Sequence, residues 1–179
     1  PASTFYGNAA GGVIQINTLS DFEDNFASFR MQGGSYSSSN LSATVGLKNN
    51  KTKAVFFQNL SKSEGYRDHS RYKQQVFNTR IWHDFSISSK ISFQFNYTNS
   101  PYAYDAGGIN LQSVIENRRQ ARPQNKSFKT FESVEHIKTG LQWEKTFGKK
   151  LTYSSYLFYA HRDFKGRLPF EFGGLVDLI

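Results

Sequence analysis

Apolar and polar residues alternate along most of this chain with a period of two, the repeat of a β-strand that has a different environment on each face. The same alternation runs over 41–48 and 136–144. It is clearest over 91–98, where Ile91, Phe93, Phe95 and Tyr97 alternate with Ser92, Gln94, Asn96 and Thr98. Noisier stretches cover 25–33, 53–62 and 74–85, and 151–162 is aromatic on both faces. The pattern predicts an all-β chain of about seven strands.

The connections between these strands alternate in length. Short polar turns are predicted at 49–52, 86–90 and 148–150, whereas 61–73 and 99–133 are long links. Antiparallel strands with tight turns at one end and long loops at the other are typical of outer-membrane barrels.

Strand length and aromatic placement favour the same class. The predicted strands come close to the roughly 9–11 residues that cross a bilayer at a tilt. Aromatic residues lie near strand ends, as in the girdles of a membrane barrel: Trp82, Phe85, Trp143, Phe147, Tyr153 and Tyr156. A soluble β-sandwich or barrel also has alternating strands. It remains the structural alternative, although the Ser, Thr, Asn and Gln of the polar face suit a hydrated lumen.

The amino-acid composition excludes several classes of protein. The 179 residues carry a net charge of +8, and 37% are hydrophobic and 16% aromatic. No run approaches the roughly 18 apolar residues of a spanning helix, which excludes a helical membrane protein. The absence of cysteine excludes a disulfide scaffold, thiolate metal sites and a cysteine nucleophile.

The first eighteen residues carry the most specific motif. They contain Tyr6-Gly7, then Ala10-Gly11-Gly12-Val13-Ile14, then Ile16-Asn17-Thr18, in that order and spacing. This string resembles the end of the plug domain in TonB-dependent outer-membrane receptors. The segment 120–125, followed by Phe128 and Glu132, resembles more loosely a stretch before a barrel strand in the siderophore-receptor branch of that family.

The resemblance implies a domain layout. Residues 1–20 would be the C-terminal end of a plug, and 21–179 the N-terminal part of an antiparallel transmembrane β-barrel. Such barrels have 22 strands, so we expect this chain to be a fragment. The long links would then be extracellular, and the short turns periplasmic. Within the plug-end motif, Tyr6, Gly7, Gly11, Gly12, Val13 and Ile14 are the site residues that the resemblance assigns.

Catalytic chemistry has no candidate in the sequence. Nucleophile-elbow, phosphate-loop, dinucleotide and zinc-protease motifs are all missing. The four histidines are scattered without metal-ligand spacing. We therefore expect no enzyme activity, no metal site and no cofactor.

The two long links hold the candidate ligand chemistry. Link 99–133 contains Arg118, Arg119, Arg122, Lys126 and Lys129 with Tyr102 and Tyr104, and link 61–73 contains Tyr66, Arg67, Arg71, Tyr72 and Lys73 with Glu64, Asp68 and His69. Arginine and tyrosine together suit an anionic, ring-bearing ligand. The predicted ligand contacts are Tyr104, Arg118, Arg119 and Arg122. These cations could instead bind lipopolysaccharide phosphates or be solvated.

These expectations give one functional hypothesis with alternatives. The resemblance implies a receptor in the outer membrane of a Gram-negative bacterium that takes up a ferric siderophore or similar iron complex. Its partners would be that ligand, outer-membrane lipid and lipopolysaccharide, and the TonB complex through a missing N-terminal part. The alternatives are another cargo (glycan, cobalamin or haem) or a small β-barrel or β-sandwich used for binding or adhesion. Nucleic acid is not expected, because the basic residues form no single stripe or recognition module.

Overall fold

The computed structural model describes residues 22–148, 151–170 and 176–177 of the chain. The plug-end prediction, which covers residues 1–20 and includes Tyr6, Gly7, Gly11, Gly12, Val13 and Ile14, lies outside the described residues. Every structural statement below concerns the described part.

Seven long strands and one strand of two residues form a single antiparallel sheet. Each strand pairs with its neighbours in chain order, so the sheet is a meander. The strands are β1 (Phe26–Gly34), β2 (Ser38–Lys48), β3 (Thr52–Ser63), β4 (Tyr72–Ser86), β5 (Ser89–Tyr104), β6 (Phe131–Phe147), β7 (Leu151–Arg167) and β8 (Val176–Asp177). The predicted all-β, antiparallel class is confirmed for this part of the chain.

The longest link is shorter and more ordered than the sequence predicts. Strand β5 continues to Tyr104 and β6 begins at Phe131, so the link covers 105–130 rather than 99–133. It contains two unpredicted short helices, α1 (Leu111–Asn117) and α2 (Pro123–Phe128). Local signals start both: the Asn110 side chain accepts from the Ser113 amide at the start of α1, and Pro123 occupies the first turn of α2. Among the described residues, no helix is long and apolar enough to cross a membrane.

The two ends of the sheet differ in their connections. One end, here called the turn end, carries the β2–β3 and β4–β5 turns, at 49–51 and 87–88, and the β6–β7 connection. The opposite end, here called the loop end, carries the β1–β2 turn at 35–37 and the links 64–71 and 105–130. The predicted alternation of short and long connections is therefore present from β2 onward.

The strand register sorts side chains onto two faces. Phe93 is paired with Ile81 on one side and with Leu141 on the other. Because alternate residues share a face, this register gathers the apolar positions into one band, the apolar face: Phe29, Leu41, Val45, Phe56, Phe77, Ile81, Ile91, Phe93, Phe95, Ile137, Leu141, Trp143, Tyr153 and Leu157. The opposite face, the polar face, carries cross-strand amide contacts such as Asn59 to Asn40 at 3.0 Å and Asn96 to Asn78 at 2.8 Å.

Two of the predicted girdle aromatics lie on the polar face instead. Trp82 is paired with Ser92, and the Arg80 guanidinium lies 5.0 Å from its ring centre. The Tyr156 ring covers Gly140 and its hydroxyl accepts from Gln94 at 3.1 Å. These rings fill space that glycine or short polar neighbours leave open, which the alternation pattern does not reveal.

A one-residue bulge interrupts β5 near the loop end. Asn99 is paired with Gln75 of β4, but Tyr102 is paired with Lys73, so β5 has one residue more than its partner over this interval. The same extra residue is present against β6. Pro101 lies within the bulge, where its missing amide hydrogen removes no regular ladder bond.

The sheet has almost no buried core. Among the described residues, the only buried hydrophobic side chains are Ala54, Ala106 and Ala121. Large apolar residues on the apolar face remain exposed, including Phe29 at 70% and Leu157 at 72%. No second layer of the described chain covers this face. Within residues 22–148, 151–170 and 176–177, the sheet ends at β1 on one side and at the short β8 on the other.

Candidate functional site

The two long links at the loop end dock onto each other. The Asp68 amide donates to the Arg119 carbonyl oxygen at 2.7 Å, and the Tyr104 amide donates to the Arg71 carbonyl oxygen at 2.9 Å. Since each link joins a strand that runs to the loop end with one that runs back, the sheet brings both to the same place. The loops thus have a defined mutual geometry.

Arg67 is the main cross-link between the two links. Its Nε and Nη2 atoms donate to the Gln120 carbonyl oxygen at 3.0 and 2.9 Å. Nη1 donates to the carbonyl oxygen of Gly107 at 2.7 Å, and Nη2 also approaches that of Ala106 at 3.3 Å. A guanidinium is suited to this role because its planar fork directs several donors at once.

A buried polar network holds link 105–130 in shape. Asn125 and Thr130 are each 1% exposed. Asn125 Nδ2 donates to the Asp105 carboxylate at 2.9 Å, and Thr130 Oγ1 donates to the Asp105 carbonyl oxygen at 2.8 Å. Lys129, with a φ of 52°, ends α2 in the left-handed region, which lets the chain turn back into β6.

Stacked rings form one wall of the loop end. The His69 and Tyr104 rings stack at 4.8 Å between centres, and Tyr104 stacks on Tyr102 at 5.4 Å. The Arg71 guanidinium lies 5.0 Å from the Tyr102 ring centre and 5.2 Å from that of Tyr104. Its hydrogen bond to the Tyr104 hydroxyl, at 3.4 Å, raises the pKa of Arg71 above the ordinary value. His69 Nε2 donates to the Thr130 carbonyl oxygen at 2.8 Å, which fixes that ring.

A second aromatic pair lies at the same end of the sheet. Tyr36 and Tyr66 make an edge-to-face contact with their ring centres 5.5 Å apart. The Arg119 guanidinium lies 5.3 Å from the Tyr36 ring centre, and Arg119 Nε donates to the Tyr66 carbonyl oxygen at 3.1 Å. Tyr36 has a φ of 59° and Ser37 a φ of 52°, so the hairpin turn places two non-glycine residues in the left-handed region. Backbone strain of this kind is often found where a side chain must be held for binding.

An open groove of about 410 Å³ is lined by residues from both aromatic clusters. Tyr36, Tyr104, Arg71 and Arg119 contribute rings and cations, and Arg67 and His69 also line it. Glu64 and Asp68 supply the opposite charge at the rim, and Asp68 lies 3.8 Å from the ammonium group of Lys126. The groove can therefore accept a ligand that is anionic over part of its surface and flat over another part.

Only two of the four predicted ligand contacts lie in the groove. Tyr104 and Arg119 both line the groove. Arg118 is exposed just after α1, and Arg122 precedes α2, where its Nε donates to the Gln124 side chain at 3.2 Å. Neither of these two is part of the groove lining. Three lining residues were not singled out from the sequence: Tyr36, Ser37 and Gly65. Tyr36 and Ser37 lie in the β1–β2 turn, which carries no chemical motif.

Neither a metal-binding cluster nor a known protein family assigns a further role to this site. In the part of the chain that the structure describes, no three His, Asp or Glu side chains are grouped so that they could hold a metal ion. No protein-family model matches the chain.

Proposed function

We propose that this chain is part of a TonB-dependent receptor in the outer membrane of a Gram-negative bacterium, and that it takes up a ferric siderophore or a similar anionic iron complex. The observation that carries the proposal is the asymmetry of one sheet. It combines an uncovered apolar face, a polar face, short turns at one end and docked basic and aromatic loops at the other.

The uncovered apolar face supports a membrane location. A soluble sandwich would cover this band with a second layer, and the described chain supplies none. The long strands have between 9 and 17 residues, enough to cross a hydrocarbon core at a tilt. Trp143, Phe147 and Tyr153 belong to the apolar face near the turn end, where a girdle would contact the lipid interface.

The polar face supports the proposal that this side of the sheet lines a water-filled barrel interior or contacts a polar plug domain. Besides its asparagine pairs, this face carries an ion pair between Lys90 and the half-buried Glu144 at 2.8 Å. Such side chains would be costly in contact with lipid but are ordinary in a hydrated lumen. In this arrangement the apolar face contacts lipid and the loop end lies outside the cell.

The groove at the loop end supports an anionic cargo that contains rings. Arg71 and Arg119 each lie against a tyrosine ring, so the groove presents cations and flat aromatic surfaces side by side. Many ferric siderophores are anionic and aromatic, which agrees with this chemistry. The protein would bind the complex unchanged, and movement past the plug would depend on TonB and the proton gradient of the inner membrane.

The first test is the membrane location of the intact polypeptide that carries this sequence. We expect it in the outer-membrane fraction, soluble only after detergent extraction and with heat-modifiable migration on electrophoresis. Recovery in the aqueous fraction without detergent would instead favour the soluble β-sandwich.

The second test is the cargo. Affinity is measured for ferric catecholate, ferric hydroxamate, haem, cobalamin and a neutral oligosaccharide. We expect binding of an anionic ferric complex, and a loss of about tenfold or more in the double variant Arg71→Gln/Arg119→Gln. The matched double variant Arg118→Gln/Arg122→Gln removes the same charge outside the groove and should bind normally. A loss confined to the second variant would place the ligand where the sequence alone predicted it, and selective binding of the oligosaccharide would reject an iron cargo.

A further inference from the structure

Two lysines face each other at the loop end of the apolar face. Lys62 of β3 is the register partner of Lys73 of β4, and both side chains are exposed. Like charges placed directly opposite each other in a sheet are destabilising. Among the described residues, neither ammonium group takes part in an ion pair. The pair is therefore a local concentration of positive charge that its own neighbours do not neutralise.

The lysines lie where the apolar face ends. Leu60, two residues before Lys62, is the register partner of Leu41 on β2 and of Gln75 on β4. A cleft of about 260 Å³ runs between these strands, lined by both leucines, both lysines, Ser39, Ser61, Gln74 and Gln75. Its leucines lie toward the middle of the sheet and its lysines toward the loop end.

A third cation and an aromatic ring extend this edge. Tyr102 is the register partner of Lys73, so Lys62, Lys73 and Tyr102 form a row across three strands. Arg71 lies two residues before Lys73, with its guanidinium against the Tyr102 ring at 5.0 Å. A row of two lysines and a tyrosine, with an arginine beside it, at the end of an apolar surface is typical of the boundary between hydrocarbon and headgroups.

We propose that this rim patch, formed by Leu41, Leu60, Lys62, Lys73 and Tyr102, binds the phosphate headgroup of an anionic membrane lipid, with an acyl chain of that lipid against the two leucines of the cleft. The inference rests on the membrane location proposed above, but not on the cargo. Charge complementarity selects the occupant: a phosphate relieves the repulsion between the two lysines, and a cleft lined by leucine is suited to an acyl chain rather than to a soluble anion.

The test uses the intact polypeptide in neutral detergent, with native mass spectrometry to count bound lipid. The probes are bis-phosphorylated lipid A and phosphatidylcholine in mixed micelles. We expect selective retention of lipid A, and a loss of affinity of about 30-fold in Lys62→Gln/Lys73→Gln. Lys62→Arg/Lys73→Arg keeps the charge and should retain the lipid.

The chain offers a matched control pair. Lys48 and Lys53 are also register partners, but they lie on the polar face at the turn end. Lys48→Gln/Lys53→Gln removes the same number of charges and should change lipid affinity less than twofold. Equal losses in the two double variants, or equal retention of phosphatidylcholine and lipid A by the unaltered protein, would overturn the inference.

The same preparations separate this inference from the proposed cargo. An unaltered protein that binds a ferric complex but not lipid A would contradict only the lipid site. One that binds lipid A and none of the cargo panel would contradict only the cargo. Recovery of the polypeptide without detergent would contradict both.

Discussion

Arg67 donates from Nη1 to the carbonyl oxygen of Gly107 at 2.7 Å, and this contact joins residues 40 positions apart in the chain. With its bonds to Gln120, it makes one side chain responsible for much of the contact between the two loops. The shape of the groove therefore depends on Arg67, which fixes one loop against the other, as well as on the residues that line the groove.

We predict that Arg67→Lys loosens the loop end. A lysine ammonium cannot direct donors at three separate carbonyl oxygens with the geometry of a guanidinium, and each hydrogen bond from a charged group is worth about 1.5–3 kcal/mol. Hydrogen exchange followed by mass spectrometry should show faster exchange over 105–130, with the strands unchanged. Arg118→Lys, at an exposed position on the same link, is the control. The same increase in both variants would mean that Arg67 has no special role.

We predict that Thr130→Val destabilises link 105–130. Valine has a similar shape but cannot donate to the Asp105 carbonyl oxygen or accept from Asn125, at 2.8 and 3.2 Å in the present network. Leaving buried polar atoms unpaired costs about 1–3 kcal/mol. The free energy of unfolding, from urea titration in detergent micelles, measures the change. Thr152→Val, at an exposed turn-end position, should cost much less; similar costs would show that the network contributes little.

We predict that Tyr36→Asn weakens cargo binding more than Ser37→Asn, a change at the adjacent lining residue that removes no ring. Asparagine tolerates the left-handed backbone at both positions, so the turn should persist. Only the first change removes the ring that lies against Arg119, 5.3 Å from its guanidinium. The ring also offers a flat surface to a ligand, and a contact of about 0.5–1 kcal/mol with that ligand corresponds to roughly a two- to fivefold loss of affinity when it is removed. Identical affinities in the two variants would remove Tyr36 from the site.

We predict that Gly46→Ala destabilises the first hairpin. A Cβ atom at Gly46 would lie 2.1 Å from Cε1 of the Phe26 ring, which covers this glycine from the neighbouring strand. Displacing the ring should cost about 1–3 kcal/mol, measured as the free energy of unfolding in urea. Gly33→Ala is the matched control, since no atom lies within 4 Å of the added carbon. An equal cost at both positions would argue against close packing of Phe26.

The sheet could be predicted from the sequence because alternation is local. The stretch 91–98 shows which residues share a face, and the spacing of turns shows that successive strands are antiparallel neighbours. The faces of Trp82 and Tyr156 could not be predicted in this way. Each ring lies over neighbours on other strands, and the pattern along one strand does not specify those neighbours.

The groove was predictable only in part. The abundance of arginine and tyrosine in the long links identified the loop end and two lining residues, Tyr104 and Arg119. The positions of Arg118 and Arg122 depend on where α1 ends and α2 begins. In the sequence, Arg67 cannot be distinguished from any other loop arginine. Only the docked loops show that its guanidinium donates to carbonyl oxygens of the other loop.

The bulge in β5 determines on which face of the sheet two tyrosines lie, because its extra residue shifts the alternation of all side chains that follow it. Without the extra residue near Pro101, strict alternation would place Tyr102 and Tyr104 with Thr98, on the polar side of the sheet. With it, they join Lys73 and Arg71 on the opposite side. A single-residue deletion there would move both rings to the polar face while leaving their own sequence unchanged. It would take Tyr104 out of the groove and Tyr102 away from Lys73, so the length of the chain at one point decides which contacts this aromatic pair can make.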